Sequence, residues 1–196
     1  MKRALVATAL TVLVASACSS EPPQLAGYVR APAPNSADIA LPDAGAGGAS
    51  FHLKADAGEL LLVYFGFTAC PDVCPTTLAD IRTALRDLGD LADGVELAMV
   101  TVDPMRDTAD VLVGYVQSFV PDARGLRTED DALLSDAAYV LGAGYQVEEN
   151  DEGEIEVLHT AHIYVIDENG DLLVTWPFGI APDDMTSDLR ILFDQK

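Results

Sequence analysis

Two cysteines, each followed by proline, stand four positions apart in the run Cys70-Pro71-Asp72-Val73-Cys74-Pro75. Such a pair supports three chemistries: a structural disulfide, a dithiol that cycles with a disulfide, or two soft sulfur ligands for a metal ion. The neighbouring residues say where the sulfurs sit. Leu60 to Phe65 is an apolar run that reads as a strand, and Leu78, Ile81, Leu85 and Leu88 recur at helical spacing, so the thiols fall where strand hands over to helix. Pro75 suits the first helical position, because it lacks the N–H that the first turn leaves unpaired and its fixed φ matches the helix. Unpaired N–H groups and the positive end of the helix dipole then lie near both sulfurs. Both favour thiolate, the form that binds metal or attacks a disulfide.

A metal reading also needs a nitrogen or oxygen ligand close by, and the chain has three histidines, His52, His159 and His162. His159 and His162 are three residues apart in a strand-like stretch, so alternation turns them to opposite faces and they do not share one ion. Isolated histidines in packed or polar settings are common, and His52 and His162 read as hydrogen-bonded rings of that kind.

The elements that must hold the motif follow in order. Val95 to Val102 is a buried strand, and with Leu60 to Phe65 and the helix between them it makes a right-handed βαβ unit. Asp103 ends that strand at the edge where open α/β sheets place their sites, and it reads either as a neighbour of the metal or as a plain turn residue. Asp107 reads as the cap of a helix from Thr108 to Val120. A helix from about Asp130 to Leu141 precedes a hairpin that turns at Asn150 to Gly153. Strands at Ile163 to Ile166 and Asp171 to Trp176 follow, and a closing helix from Pro182 faces Met185, Leu189 and Leu192 inward. This order predicts an α/β domain of the thioredoxin-like class, a central mixed sheet flanked by helices.

The run GFTACPDVCP resembles the GYTxCPDxCP signature of the Sco/SenC family, membrane-attached thioredoxin-like copper proteins of cytochrome c oxidase assembly. The resemblance covers roughly residues 50 to 193. Asp103-Pro104-Met105-Arg106-Asp107-Thr108 resembles the family's DPERDT, with Met105 where glutamate is usual. His159-Thr160 resembles its DH(S/T) segment, with Leu158 in place of the aspartate. The resemblance implies that Cys70, Cys74 and His159 bind copper, with Asp103 as a possible neighbour of the site, and that the client is the binuclear copper centre of cytochrome c oxidase subunit II. Two thiolates and an imidazole suit copper(I) or copper(II) and, less selectively, zinc. The alternative is a thiol-disulfide oxidoreductase or redox sensor using Cys70 and Cys74. Against it stand the four-residue spacing, where thioredoxins have three, and the absence of a proline before Thr160.

Met1-Lys2-Arg3, a short apolar run from Ala4 to Ala15 and small residues before Cys18 make a signal-peptide layout. Val14-Ala15-Ser16-Ala17-Cys18 resembles a bacterial lipobox, so residues 1–18 are expected to end at a lipidated Cys18. That would hold a monomeric domain on the outer face of the cytoplasmic membrane. Residues 19–48, rich in Ala, Pro, Gly and Ser without apolar periodicity, read as a flexible tether reaching roughly 30 Å, with the folded domain at 49–196. The net charge of -21, from 11 basic and 32 acidic residues, excludes nucleic acid as a partner, because phosphate binding needs a basic face.

Overall fold

A computed structural model describes residues 24–195. In chain order the strands are β1 (Ala40–Asp43), β2 (Ala49–His52), β3 (Leu60–Gly66), β4 (Val95–Thr101), β5 (Arg124–Leu126), β6 (Tyr145–Glu149), β7 (Ile155–His159), β8 (Ile163–Ile166) and β9 (Leu172–Trp176). The helices are α1 (Val73–Leu88), α2 (Ala109–Gln117), α3 (Asp131–Leu141) and α4 (Pro182–Asp194). Seven strands form one mixed sheet in the order β2-β1-β5-β4-β3-β8-β9, while β6 and β7 pair separately as a hairpin. The four helices flank the sheet.

Every residue of β3 is buried, as its unbroken apolar run requires of a strand covered on both faces. β4 lies parallel on one side of it and β8 antiparallel on the other. Gly66 at the end of β3 stands opposite Thr101 at the end of β4, so the loops that follow them leave the sheet side by side. On the other flank Ile163, the first residue of β8, is paired with Tyr64, so the chain entering β8 arrives over the same end of β3. α1 packs against α4, with Leu78, Ile81 and Leu88 meeting a core that also takes Met185, Leu189 and Leu192.

Three local expectations change. α1 begins at Val73 rather than Pro75, so Cys74 lies inside its first turn and Pro75 still falls among the positions whose N–H has no partner to lose. The cap of α2 is Thr108, whose Oγ1 accepts from Val111 N, and Asp107 is drawn into the interior instead. The stretch read as one strand through His162 is broken at 160–162, between β7 of the hairpin and β8 of the main sheet. The two histidines are therefore separated by a change of sheet rather than by alternation.

The larger correction concerns residues 24–48, expected as the inner part of a tether. They lie on the domain. Tyr28 and Thr175 exchange both backbone hydrogen bonds at 2.8 and 2.9 Å, Ser36 N donates to Gly170 O, and Leu172 N donates to Pro34 O. This strap covers the outer edge of β9, which would otherwise expose unpaired backbone groups. β1 then runs inside the sheet between β2 and β5, with Leu41 buried. The buried Asp188 pins the start of the strap, accepting from Ala26 N at 2.8 Å and Gly27 N at 3.2 Å while also holding Trp176 Nε1 at 2.8 Å. Gly27 is needed for this close approach: a Cβ there would come within 2.5 to 2.7 Å of Val174, Trp176 and the Thr175 carbonyl. Gly27→Ala is therefore expected to lose about 1–3 kcal/mol in chemical denaturation, the usual cost of overpacking. An unchanged midpoint would mean that the strap does not lie against β9.

Candidate metal centre

Cys70, Cys74 and His159 come together at the end of β3, their ligand atoms all within 4.8 Å of one another. Each arrives by a different route. Cys70 sits half-buried on the loop between β3 and α1, and the Cys74 N–H, an orphan donor of the first helical turn, points at its sulfur at 3.3 Å. Cys74 is wholly buried in that turn, and its sulfur lies against Gly66, where a Cβ would stand only 3.0 Å away. A side chain at position 66 would push the sulfur out of place. His159 is the last residue of β7, held where the hairpin meets the main sheet by the pairing with Tyr145 and by Thr160 N donating to Gly144 O at 2.8 Å. Its Nε2 lies 3.5 Å from Cys74 Sγ.

Two aromatic rings orient the imidazole, Tyr64 and Phe67 both meeting it edge-on at centroid distances of 6.1 and 5.8 Å. Burial lowers the His159 pKa, partly offset by looser polar contacts with the backbone of Thr160 and Phe65, so the ring is neutral and its lone pair free to bind a cation. Nδ1 is buried with no hydrogen-bond partner, leaving Nε2 as the nitrogen turned to the sulfurs.

The electrostatics of Cys74 reverse the expectation from the helix dipole. Burial pushes its thiol up to about 12, and nearby Tyr64 and the Phe67 backbone only partly counter that. Desolvation thus outweighs the helix terminus, because a dipole of about half a charge stabilises an anion by roughly 0.3–1 kcal/mol, less than burial costs it. Without metal, Cys74 is a thiol, and a cation that binds it displaces a proton.

Asp103 is buried but lies outside this group of three, its carboxylate engaged by Arg106 Nε. The Arg106 guanidinium lies 5.9 Å from the Phe67 ring centroid, so Asp103 reaches the centre through Arg106 and Phe67. Sequence reasoning gave Asp107 only a capping role. It is fully buried and ties the two loops together, accepting from Thr68 N at 3.1 Å, Thr68 Oγ1 at 2.5 Å and Thr101 Oγ1 at 2.6 Å. Tyr64 was read only as part of a strand. Its one visible signal is a phenol inside an otherwise aliphatic and phenylalanine run. Of the two departures from the family pattern, Met105 is 80% and Leu158 68% exposed, so both face solvent. His52 is on the surface with Nδ1 3.0 Å from Ala37 O, and His162 is half-buried against Tyr164.

The donor set of two thiols and one neutral imidazole is soft to borderline, with a chelating geometry for a thiophilic ion. Among the described residues it is the one group of three or more such side chains.

Similarity to known proteins extends over most of the folded chain. A SCO2-like protein of Rickettsia prowazekii is 36% identical over 115 residues, which are 58% of this chain and 56% of that protein, so the match spans little more than half of that relative. The structure of Bradyrhizobium japonicum ScoI with copper bound is similar at 32% identity and TM-score 0.66, over 78% of this chain and 95% of that one. The solution structure of apo Sco1 from Thermus thermophilus is similar at 31% identity and TM-score 0.73, over 86% and 97%. The fold is thioredoxin-like, as theirs are. The family profile described as SCO1/SenC matches residues 45–194, from the turn after β1 to the end of α4, and this chain therefore belongs to the SCO1/SenC family.

Proposed function

We propose that this protein is an extracytoplasmic copper carrier that loads the binuclear copper centre of cytochrome c oxidase subunit II. The observation that carries the reading is the convergence of Cys70, Cys74 and His159 within 4.8 Å from two segments far apart in the chain, the β3–α1 junction and the end of β7. Two thiolates and one imidazole satisfy copper(I), and copper(II) would add an oxygen or nitrogen donor from solvent. The partly exposed Cys70 gives a client's thiols a route to the ion by ligand exchange, whereas Cys74 and His159 hold it from below.

A second reading rests on the contrast between the two thiols, one partly exposed and one buried. Cys70 as thiolate would attack a client disulfide, releasing one client thiolate that takes a proton from solvent, and the Cys74 thiol would then attack the mixed disulfide, its proton passing to the departing client sulfur. The second client thiol leaves, and two electrons pass from the Cys70–Cys74 pair to the client. The deciding experiment supplies reduced protein with copper(I) or copper(II) and then assays a client fragment for metal acquisition and for disulfide reduction.

His159 and His162 separate the two readings. Copper(II) held by Cys70, Cys74 and His159 is expected to show an intense thiolate-to-metal charge-transfer band, which His159→Ala strips or shifts and His162→Ala leaves unchanged. Insulin-reducing activity that survives His159→Ala, with no metal band in wild type, would favour the reductase. A band lost in His162→Ala and kept in His159→Ala would remove His159 from the ligand set.

The signal segment 1–18 and Cys18 lie outside the described residues, and the anchor is part of the proposal. Among the described residues no helix is long and apolar enough to cross a membrane. Gln24 is six residues beyond Cys18, a span of at most ~20 Å even fully extended, so an acylated Cys18 would hold the domain close to the lipid surface. Cys18→Ser is expected to release the protein from membranes or block its processing. Wild-type protein that fractionates away from membranes, or carries an unmodified Cys18, would refute the anchor.

A further inference from the structure

The strap, the end of α3 and strands β8 and β9 border an open pocket of about 310 Å³, lined by Tyr28, Arg30, Leu141, His162, Tyr164 and Thr175 together with Gly142. Its chemistry is unlike the rest of the surface. The chain carries 32 acidic residues against 11 basic ones, yet this lining has an arginine and a histidine and no carboxylate. Arg30 makes no ion pair among the described residues. Its Nη2 donates to the Leu141 carbonyl at the end of α3, and the guanidinium lies beside Gly142, where a Cβ would meet Nη1 at 2.8 Å. One edge of the fork is used and the rest is free.

Two hydroxyls in the same lining have no partner. Tyr164 is fully buried and Thr175 is 5% exposed, and neither the Tyr164 phenol nor Thr175 Oγ1 makes a hydrogen bond. Buried hydroxyls without partners are uncommon and costly, so their place on a cavity wall points to something that occupies it. The positive charge of Arg30 reaches both neighbours, lowering the pKa of His162, where burial acts first, and opposing the rise that burial causes in Tyr164. Cation, imidazole and two unpartnered hydroxyl residues therefore line one pocket, the hydroxyl oxygens just beneath its surface. A half-buried guanidinium without a counter-charge is an expensive arrangement that an anion relieves.

We propose that this cavity is an oxyanion site, taking the phosphate or carboxylate group of a small ligand between the Arg30 fork, His162 and the hydroxyls of Tyr164 and Thr175. The apolar walls from Leu141 and the ring of Tyr28 accept the remainder of an organic ligand. The site is separate from the thiol centre, and Arg30 and Tyr28 belong to the strap, so it forms only where the strap is docked on β9.

The test titrates the purified full chain with inorganic phosphate and, in a second arm, with phenyl phosphate, following the His162 imidazole resonances by NMR. A saturable shift is expected. Arg30→Gln removes the charge and the fork while keeping a polar side chain, and is expected to weaken binding roughly tenfold or more, as loss of a charge-assisted hydrogen bond does. Thr175→Val, nearly isosteric, is expected to weaken it severalfold, with both variants retaining the wild-type copper band. Tighter binding of phenyl phosphate identifies an organic ligand, and equal binding a free anion. Absence of a saturable shift in wild type, or unaltered affinity in both variants, would overturn the proposal and leave the cavity to water and Arg30 to capping α3.

Discussion

Cys70→Ala and Cys74→Ala are each expected to abolish tight copper binding, with losses beyond the 10- to 100-fold typical of changing a residue that only supports a ligand. The two variants should differ in stability. Cys70 is on a loop and half-buried, and the polar contacts of its sulfur are with Cys74, so alanine there leaves the fold within about 0.5 kcal/mol of wild type. Cys74 packs in the core against Gly66 and beside Tyr64, and removing its sulfur leaves a small void. A loss of about 1 kcal/mol is expected there, at the low end for deletions from a core. Copper titration monitored by the charge-transfer band, with denaturant unfolding of the metal-free proteins, measures both. Loss of cooperative unfolding in both variants, with copper binding unaffected in whatever folds, would favour a structural disulfide instead.

Asp107→Ala is expected to cost about 3 kcal/mol or more and to weaken copper binding together with stability. The carboxylate is fully buried and serves three donors: Thr68 N, Thr68 Oγ1 and Thr101 Oγ1. Leaving donors unsatisfied in the interior costs about 1–3 kcal/mol for each, and alanine strands all three. Thr68 belongs to the loop that carries Cys70, so the same change frees that loop from the end of β4. Asp107→Asn keeps one carbonyl oxygen but turns an amide donor toward other donors, and should fall between alanine and wild type. A fully stable Asp107→Ala protein with unchanged copper affinity would show that α2, through its Thr108 cap, positions the loop unaided.

Much of the site could be read from the chain because it is local. The thiol pair, the strand before it and the helix after it are contiguous, and each has its own periodicity, fully apolar in β3 and one-faced in α1. The hairpin turn at Asn150 to Gly153 and the closing helix α4 from Pro182 were legible for the same reason. His159 was different. No spacing rule links it to Cys74, 85 residues away, and only the resemblance singled it out before the hairpin was seen to bring Nε2 to the Cys74 sulfur.

By itself, the sequence determined that a soft, reactive thiol pair would sit at a strand-to-helix junction of an α/β domain, because side-chain periodicity and turn chemistry are written in neighbouring residues. The tertiary structure alone decided three things. It made residues 24–48 a strap and a strand rather than a tether, since pairing along β9 uses backbone groups that every residue but proline carries alike and leaves no mark in composition. It buried Asp107 between two loops and handed its expected cap to Thr108, a choice set by which donors the parallel ends of β3 and β4 brought within reach. It also overruled the helix dipole at Cys74, because the cost of desolvating a thiolate depends on how many atoms from distant segments close over the sulfur, and no local pattern records them.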